Sequence, residues 1–259
     1  MAYNGFDISG RVVFVTGGTS GIGRAIALGC AQAGAKVIAG STNPDKVAAI
    51  KRELGAGHEA TQIDVADEQS VKNALELARG RFGRIDAVVN AAGIIKKQPS
   101  LEMPVEEFER IIRVNLTGSF IVAQQAGRIM KDQQPDAQGL RGSITFIASL
   151  TSFISLSEVL AYAASKSGVL GLTRGLANEW AQYGIRVNAI APGVFPTDLN
   201  RPLIEGTERG AWLKKHTPMG RFGNAEELVG AAIYLMSPSA SYTTGHTLLV
   251  DGGFMSRGV

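Results

Sequence analysis

A single cysteine, Cys30, excludes an intrachain disulfide and is consistent with a reducing compartment. Set among apolar residues at helical spacing, it reads as a small core side chain. Histidine is almost as scarce: His58, His216 and His246 stand too far apart for a local metal motif, so no metal site is expected. No apolar run reaches the roughly 18 residues that suggest a membrane span. The opening MAYNGFDISG also lacks the charged and then apolar pattern of a signal peptide. The expected setting is the cytoplasm. An excess of one charge is missing too. The 26 Lys and Arg against 23 Asp and Glu leave +3, and no basic cluster exceeds two residues, too little for a nucleic-acid surface. Linkers, repeats and low-complexity tracts are absent, so residues 1–259 are expected to form one domain.

What the chain has in quantity is glycine, 32 residues, most densely in one stretch. Val12–Val15 is an all-apolar run, the mark of a strand buried on both faces. The turn TGGTSGIG at 16–23 follows, and Ile22, Ala25, Ile26 and Ala27 continue at helical spacing from a start near Gly21. A strand, a glycine turn and a helix N-terminus make an anion site, where backbone N–H groups and the helix dipole favour a phosphate. A plain turn needs one or two glycines, and this one has four.

The rest of the chain alternates in the same way. Strands are expected at Lys36–Ser41, Glu59–Ile63, Ile85–Asn90, Ser143–Ala148, Ile185–Ile190 and His246–Val250. Helices are expected at Pro44–Leu54, with Asn43 as N-cap, and at Asp67–Phe82, stopped by Gly83. Others cover Val105–Lys131 with a break near Arg113, Leu160–Tyr183 closed by Gly184, and Ala225–Met236. This is the pattern of an α/β, Rossmann-type, doubly wound parallel sheet with helices on both faces. Pro192–Phe222 has no steady period, and its residues from about 193 to 222 read as a functional loop with short helices.

Tyr162 and Lys166 are i and i+4 on a helix and share a face. An ammonium there is expected to stabilise the phenolate and lower a pKa that is ordinarily about 10, making Tyr162 a general acid or base. Ser149, at the end of the fifth strand, is placed to hydrogen-bond a substrate oxygen. The chain resembles the short-chain dehydrogenase/reductases over essentially its whole length. The residues that carry this are TGGTSGIG at 16–23, NAAG at 90–93 (where the family usually has NNAG), and Asn115, Ser149, Tyr162 and Lys166 in the order of the family's catalytic tetrad, with Pro192-Gly193 after the sixth strand. The resemblance implies a ketone–alcohol oxidoreductase in which Asn115 holds a relay water and Lys166 also contacts the nicotinamide ribose. The implied cofactor contacts are Gly17, Thr19, Ser20, Gly21, Ile22, Gly23, Ser41, Thr42, Asn43, Asp64, Val65, Asn90, Ala91, Gly93, Tyr162, Lys166, Pro192, Gly193 and Val194. Asp64 is equally readable as a helix cap.

The second strand ends in Ser41-Thr42-Asn43 without the acid that selects NAD, and Lys46 lies one turn on, so NADP is favoured over NAD. The text GIIKKQP and the loop after Pro192 resemble the family's sugar-acid branch, which acts on gluconate and deoxy-ketohexuronates. Lys96 and Lys97, with Arg201 and His216 from the loop, are the candidate partners of a substrate carboxylate, and at least one of the two lysines should face the cleft. Alternatives are a 3-oxoacyl-carrier-protein reductase and a non-catalytic dinucleotide-binding regulatory protein. Ala164, Ser167, Gly168, Gly171 and Gly175 permit close helix approach, and by resemblance this surface and the C-terminal VDGGFMSRGV bury in a homotetramer.

Overall fold

The computed structural model describes residues 4–198 and 200–257. Seven strands form one parallel sheet in the order β3-β2-β1-β4-β5-β6-β7: β1 (Val12–Thr16), β2 (Lys36–Ser41), β3 (Glu59–Gln62), β4 (Ala87–Asn90), β5 (Gly142–Ile147), β6 (Ile185–Pro192) and β7 (Thr247–Val250). The order reverses beside β1, so the crevice outside the carboxyl ends of β1 and β4 is the place where such sheets take ligands. Helices α1 (Gly21–Gln32), α2 (Pro44–Leu54) and α9 (Val229–Met236) cover one face, and α3 (Glu68–Phe82), α5 (Gly118–Lys131) and α6 (Leu160–Trp180) the other.

Alternation along β1 divides the core between these faces. Val13 and Val15 pack with Ile26, Ile50 and Leu235, whereas Val12 and Phe14 pack with Leu75, Val122 and Val169. Asn43 and Gly83 cap where the sequence places them: the Asn43 side chain accepts from Lys46 N, and Gly83 is left-handed (φ 81°) after α3. Helix α3 itself starts one residue later than expected, with Asp67 as its cap accepting from Ser70 N.

The expected long helix through residue 113 is α4 (Val105–Ile112), a π-turn at Arg113–Thr117, and α5. In the π-turn Gly118 N donates to Arg113 O, five residues back, which admits one extra residue to the coil. The last helical pattern opens as a 3₁₀ turn, Ala225–Leu228, under a capping box formed by Asn224 and Glu227. Within the Pro192–Phe222 segment lie α7 (Arg201–Ile204) and α8 (Glu208–His216); Leu199 falls outside the described residues. No helix among the described residues is long and apolar enough to cross a membrane.

At the sheet edge opposite the crevice, Asp86 is buried and accepts from Val12 N (2.8 Å) and from Arg84 Nε (2.7 Å). Asp86→Ala would leave the Val12 N–H unpaired and should cost roughly 1.5–3 kcal/mol of stability. Urea titration should show the loss with kcat unchanged; a shift under about 0.5 kcal/mol would mean the edge is held otherwise.

Candidate active site

The glycine turn is built by backbone crowding. Gly17 has φ 65°, and a Cβ on it would stand 2.8 Å from Ala92 N. A Cβ on Gly23 would stand 2.3 Å from Gly17 O, so any side chain there breaks the turn. Ser20 is the N-cap of α1 but makes no side-chain capping bond, which leaves its hydroxyl and the first N–H groups of the helix open to an anion. A cleft of about 330 Å³ runs from this turn past Lys46, Ala91, Ala92 and Gly93 to Tyr162 and Lys166. Ser41 Oγ, at the carboxyl end of β2, is buried without a hydrogen-bond partner. Glycine cradle, open helix end and orphaned hydroxyl together fit a dinucleotide.

Asn90 locks the strand ends beneath it: its Oδ1 accepts from Thr16 Oγ1 (2.7 Å) and its Nδ2 donates to Ser119 O (3.3 Å). Val65 is buried and meets Gly118 so closely that a Cβ there would stand 2.9 Å from its side chain. Asp64 Oδ1 accepts from Ala66 N (2.9 Å), and the helix cap itself is Asp67. Thr19 is buried, while Thr42 and Asn43 are exposed, with Asn43 committed to capping α2. Beyond β6, Gly193 N donates to Val250 O and Val194 O accepts from Gly223 N, which anchors both ends of the covering segment.

The four tetrad residues converge. Ser149 Oγ accepts from Thr151 N (3.1 Å) and Thr151 Oγ1 (2.9 Å), so its own proton is free to donate towards Tyr162. Lys166 is buried; its Nζ donates to Ile147 O (2.6 Å) and lies 5.6 Å from the centre of the Tyr162 ring. Asn115 sits in the π-turn. Its Oδ1 accepts from Ile94 N (2.8 Å), and its Nδ2 donates to Ile94 O (2.9 Å) and Ser165 Oγ (3.0 Å). Every polar atom of the Asn115 side chain is therefore engaged in positioning, and its main-chain carbonyl accepts from Ser119 Oγ.

The pKa directions differ from expectation. Burial raises the Tyr162 phenol, and the hydrogen bond from Ser149 opposes this without reversing it. Burial also pushes the Lys166 ammonium down to about 8. Desolvation thus outweighs the expected ammonium effect on the tyrosine.

The substrate candidates are the residues that the fold does not gather. Lys97 is exposed and pairs with Glu158 (3.0 Å), and Lys96 is exposed with Glu107 in its field. Neither lines the cleft, and Lys97 is held by Glu158 instead. Arg201 pairs with Glu205 (2.6 Å) one helical turn on, and His216 stacks on Trp212 at 3.8 Å. Sequence reasoning missed Thr197 and Asp198, which close the cleft over Gly21, and Ser165, which holds Asn115. No local signal marks them, since each acts through a tertiary contact.

Comparison with known proteins agrees with this geometry. The family described as enoyl-(acyl carrier protein) reductase matches residues 17–255. The chain is 38% identical to a D-threitol dehydrogenase of Mycolicibacterium smegmatis, over 96% of this chain and 94% of the relative. It is 39% identical to a 2-dehydro-3-deoxy-D-gluconate 5-dehydrogenase of Pseudoalteromonas atlantica, over 97% and 98%. A gluconate 5-dehydrogenase from Burkholderia cenocepacia, solved with NADP and tartrate, superposes with a TM-score of 0.91 at 38% identity, covering 98% of this chain and 99% of that one.

Two outcomes follow from the buried pair. Tyr162→Phe should keep the fold and lower kcat for carbonyl reduction by about a hundredfold or more, and a variant within threefold of wild type would remove Tyr162 from the chemistry. Lys166 is an ammonium below its pKa of about 8 and a neutral amine above it. The reductive rate, which needs a proton to give, should therefore fall as pH rises through 8, and the oxidative rate, which needs an acceptor, should rise. Initial-rate profiles in both directions would show the crossing.

Proposed function

From the premise that the chain belongs to the short-chain dehydrogenase/reductase family, we propose that it interconverts a ketone and a secondary alcohol on a sugar acid, with NADP as the preferred cofactor. The observation that carries the chemistry is the convergence of Ser149, Tyr162 and Lys166 at the end of the cleft that begins at the glycine turn. When bound, the nicotinamide supplies or accepts a hydride. The protein's part is the proton and the oxygen. Ser149 donates a hydrogen bond to the substrate oxygen, Tyr162 gives or takes the proton there, and Lys166, fixed on Ile147 O, keeps two N–H groups for its neighbours. Gly17, Ser20, Gly21, Ile22 and Gly23 would hold the pyrophosphate end, with Ala91 and Gly93 beside the nicotinamide half.

NADP is favoured because no carboxylate stands at the end of β2 to repel a 2′-phosphate, and Lys46 lines the same cleft. The Burkholderia cenocepacia relative was solved with NADP bound. A sugar acid is favoured by the sugar-acid relatives. An uncharged polyol is the second reading, supported by the D-threitol relative, by the pairing of Lys97 with Glu158 and by the absence of Lys96 and Lys97 from the cleft lining. The 193–222 segment, anchored at Val194 and Gly223, is the substrate cover. The buried Cys30 suits a cytoplasmic setting.

The assembly we propose is a homotetramer. On α6 a Cβ at Gly171 or Gly175 would meet nothing within 4 Å, and Phe120, Phe153 and Leu160 are 38%, 46% and 50% exposed. Gly168, grouped with them from sequence, instead faces Leu116 of the same chain, 2.7 Å from where a Cβ would stand. Gly258 and Val259 of the C-terminal segment lie outside the described residues.

Initial rates with 5-keto-D-gluconate, acetoacetyl thioester and D-threitol, each with both cofactors, test this reading. The keto-acid with NADPH should give the highest kcat/KM; a lead for D-threitol would select the polyol reading, and a lead for the thioester would sink both. Lys46→Ala should raise the KM for NADPH by roughly tenfold or more and leave that for NADH unchanged. For the assembly, sedimentation should show a four-chain species that Gly171→Arg splits, and a monomeric wild type at micromolar concentration would refute it.

A further inference from the structure

At the opposite edge of the sheet, four arginines start four adjacent strands. Arg11 precedes β1, Arg84 precedes β4, Arg141 precedes β5, and Arg186 is the second residue of β6. Because the strands are parallel and neighbours in the order β1-β4-β5-β6, all four reach one edge. They line a cavity of about 350 Å³ together with Asp86 and Asp136. Four guanidinium groups face two carboxylates, and those carboxylates are largely committed. Asp86 accepts from Val12 N and Arg84. Asp136 Oδ1 accepts from Gln138 N and Leu140 N, and its Oδ2 lies 3.7 Å from Arg11.

The innermost arginine is the least satisfied. Arg186 is 5% exposed, its Nη1 reaches Thr243 O at 3.3 Å, and its Nε has no partner. Directly across the ladder is Ser143, whose buried Oγ has no partner either. Register partners project from the same face of a sheet, so the unpaired Arg186 Nε and the unpaired Ser143 hydroxyl belong to side chains that stand side by side. Orphaned buried polar groups are uncommon in folded proteins, and two in register point to something that supplies acceptors. Burial first, and then the nearby Arg11 charge, also push the Arg186 guanidinium down to about 10. A buried water would offer acceptors to Arg186 and Ser143 but would leave the surplus of positive charge untouched.

We propose that this cavity binds a dianionic phosphate group, free or carried on a small metabolite, at the end of the sheet remote from the catalytic cleft. Guanidinium groups match phosphate oxygens in paired hydrogen bonds, and a dianion balances the excess of two positive charges.

Calorimetric titration of the NADPH-loaded protein with inorganic phosphate, at an ionic strength matched with chloride, is the test. NADPH keeps the probe off the glycine turn. One saturable site per chain is expected, weakened roughly tenfold or more in Arg11→Gln and in Arg186→Gln. Arg11 is partly exposed and loosely paired, so its variant should fold even where Arg186→Gln does not. Glucose 6-phosphate binding more tightly than phosphate, with glucose inert, would mark a phosphorylated metabolite as the ligand; equal affinity would mark the phosphate group alone. No saturable heat beyond chloride, or binding unchanged in Arg11→Gln, would overturn the proposal and leave the two orphaned groups to water.

Discussion

The catalytic arrangement rests on one side-chain amide. Asn115 ties Ile94, in the loop after β4, to Ser165 on α6, and it does so from a π-turn that gives its own helix an extra residue at that point. Loop, turn and helix would otherwise be free to slide past one another, because apolar packing has no preferred register finer than a side chain. The amide oxygen and both N–H donors are all engaged. Gly93 lies inside this junction: a Cβ there would stand 3.3 Å from Asn115 Oδ1 and 3.7 Å from Lys166 Nζ. The positions of the lysine, of the loop beside it and of the nicotinamide half of the cleft are thus set together.

Burial then shapes the acid–base pair. Both Tyr162 and Lys166 are pushed towards their neutral forms, the phenol upward and the ammonium down to about 8. A pair held this way keeps the tyrosine proton in place until an oxygen arrives to receive it, which suits a general acid. Ser149 leans the other way, since its hydrogen bond favours the phenolate. The site is therefore balanced between holding and releasing a proton, and the balance shifts when a substrate oxygen takes over the Ser149 hydrogen bond.

How much of this could be read from the chain follows from where each property originates. β2 and α2 have the limits the sequence predicts because strand apolarity, Asn43 and Pro44 are local signals. The glycine turn and the Tyr162–Lys166 spacing were equally legible, since backbone crowding and helical phase depend on residue type and interval. Lys97 was not: a lysine takes the partner the fold offers, and Glu158, 61 positions later, comes within 3.0 Å only once the segment before α6 has folded over the loop. The sign of the Tyr162 shift was hidden for a similar reason. Spacing gives the neighbour, whereas desolvation depends on everything packed around the pair. Asn115 was legible as a participant but not as a clamp, because its partners lie 21 and 50 residues away.

The two edges of the sheet show how one topology separates stability from chemistry. All strand carboxyl ends face the cleft, where chain reversals leave polar groups available and Ser41 Oγ is orphaned. The amino ends face the other way, and there the backbone N–H of Val12 needs an acceptor that the sheet cannot give it at its first residue. Asp86 meets that need and holds Arg84 at the same time. Arg11, Arg141 and Arg186 reach the same edge from neighbouring strands, and the four arginines there outnumber the two carboxylates beside them. The edge that carries no chemistry thus acquires, as a by-product of terminating its strands, a positive cavity that its own residues leave unneutralised.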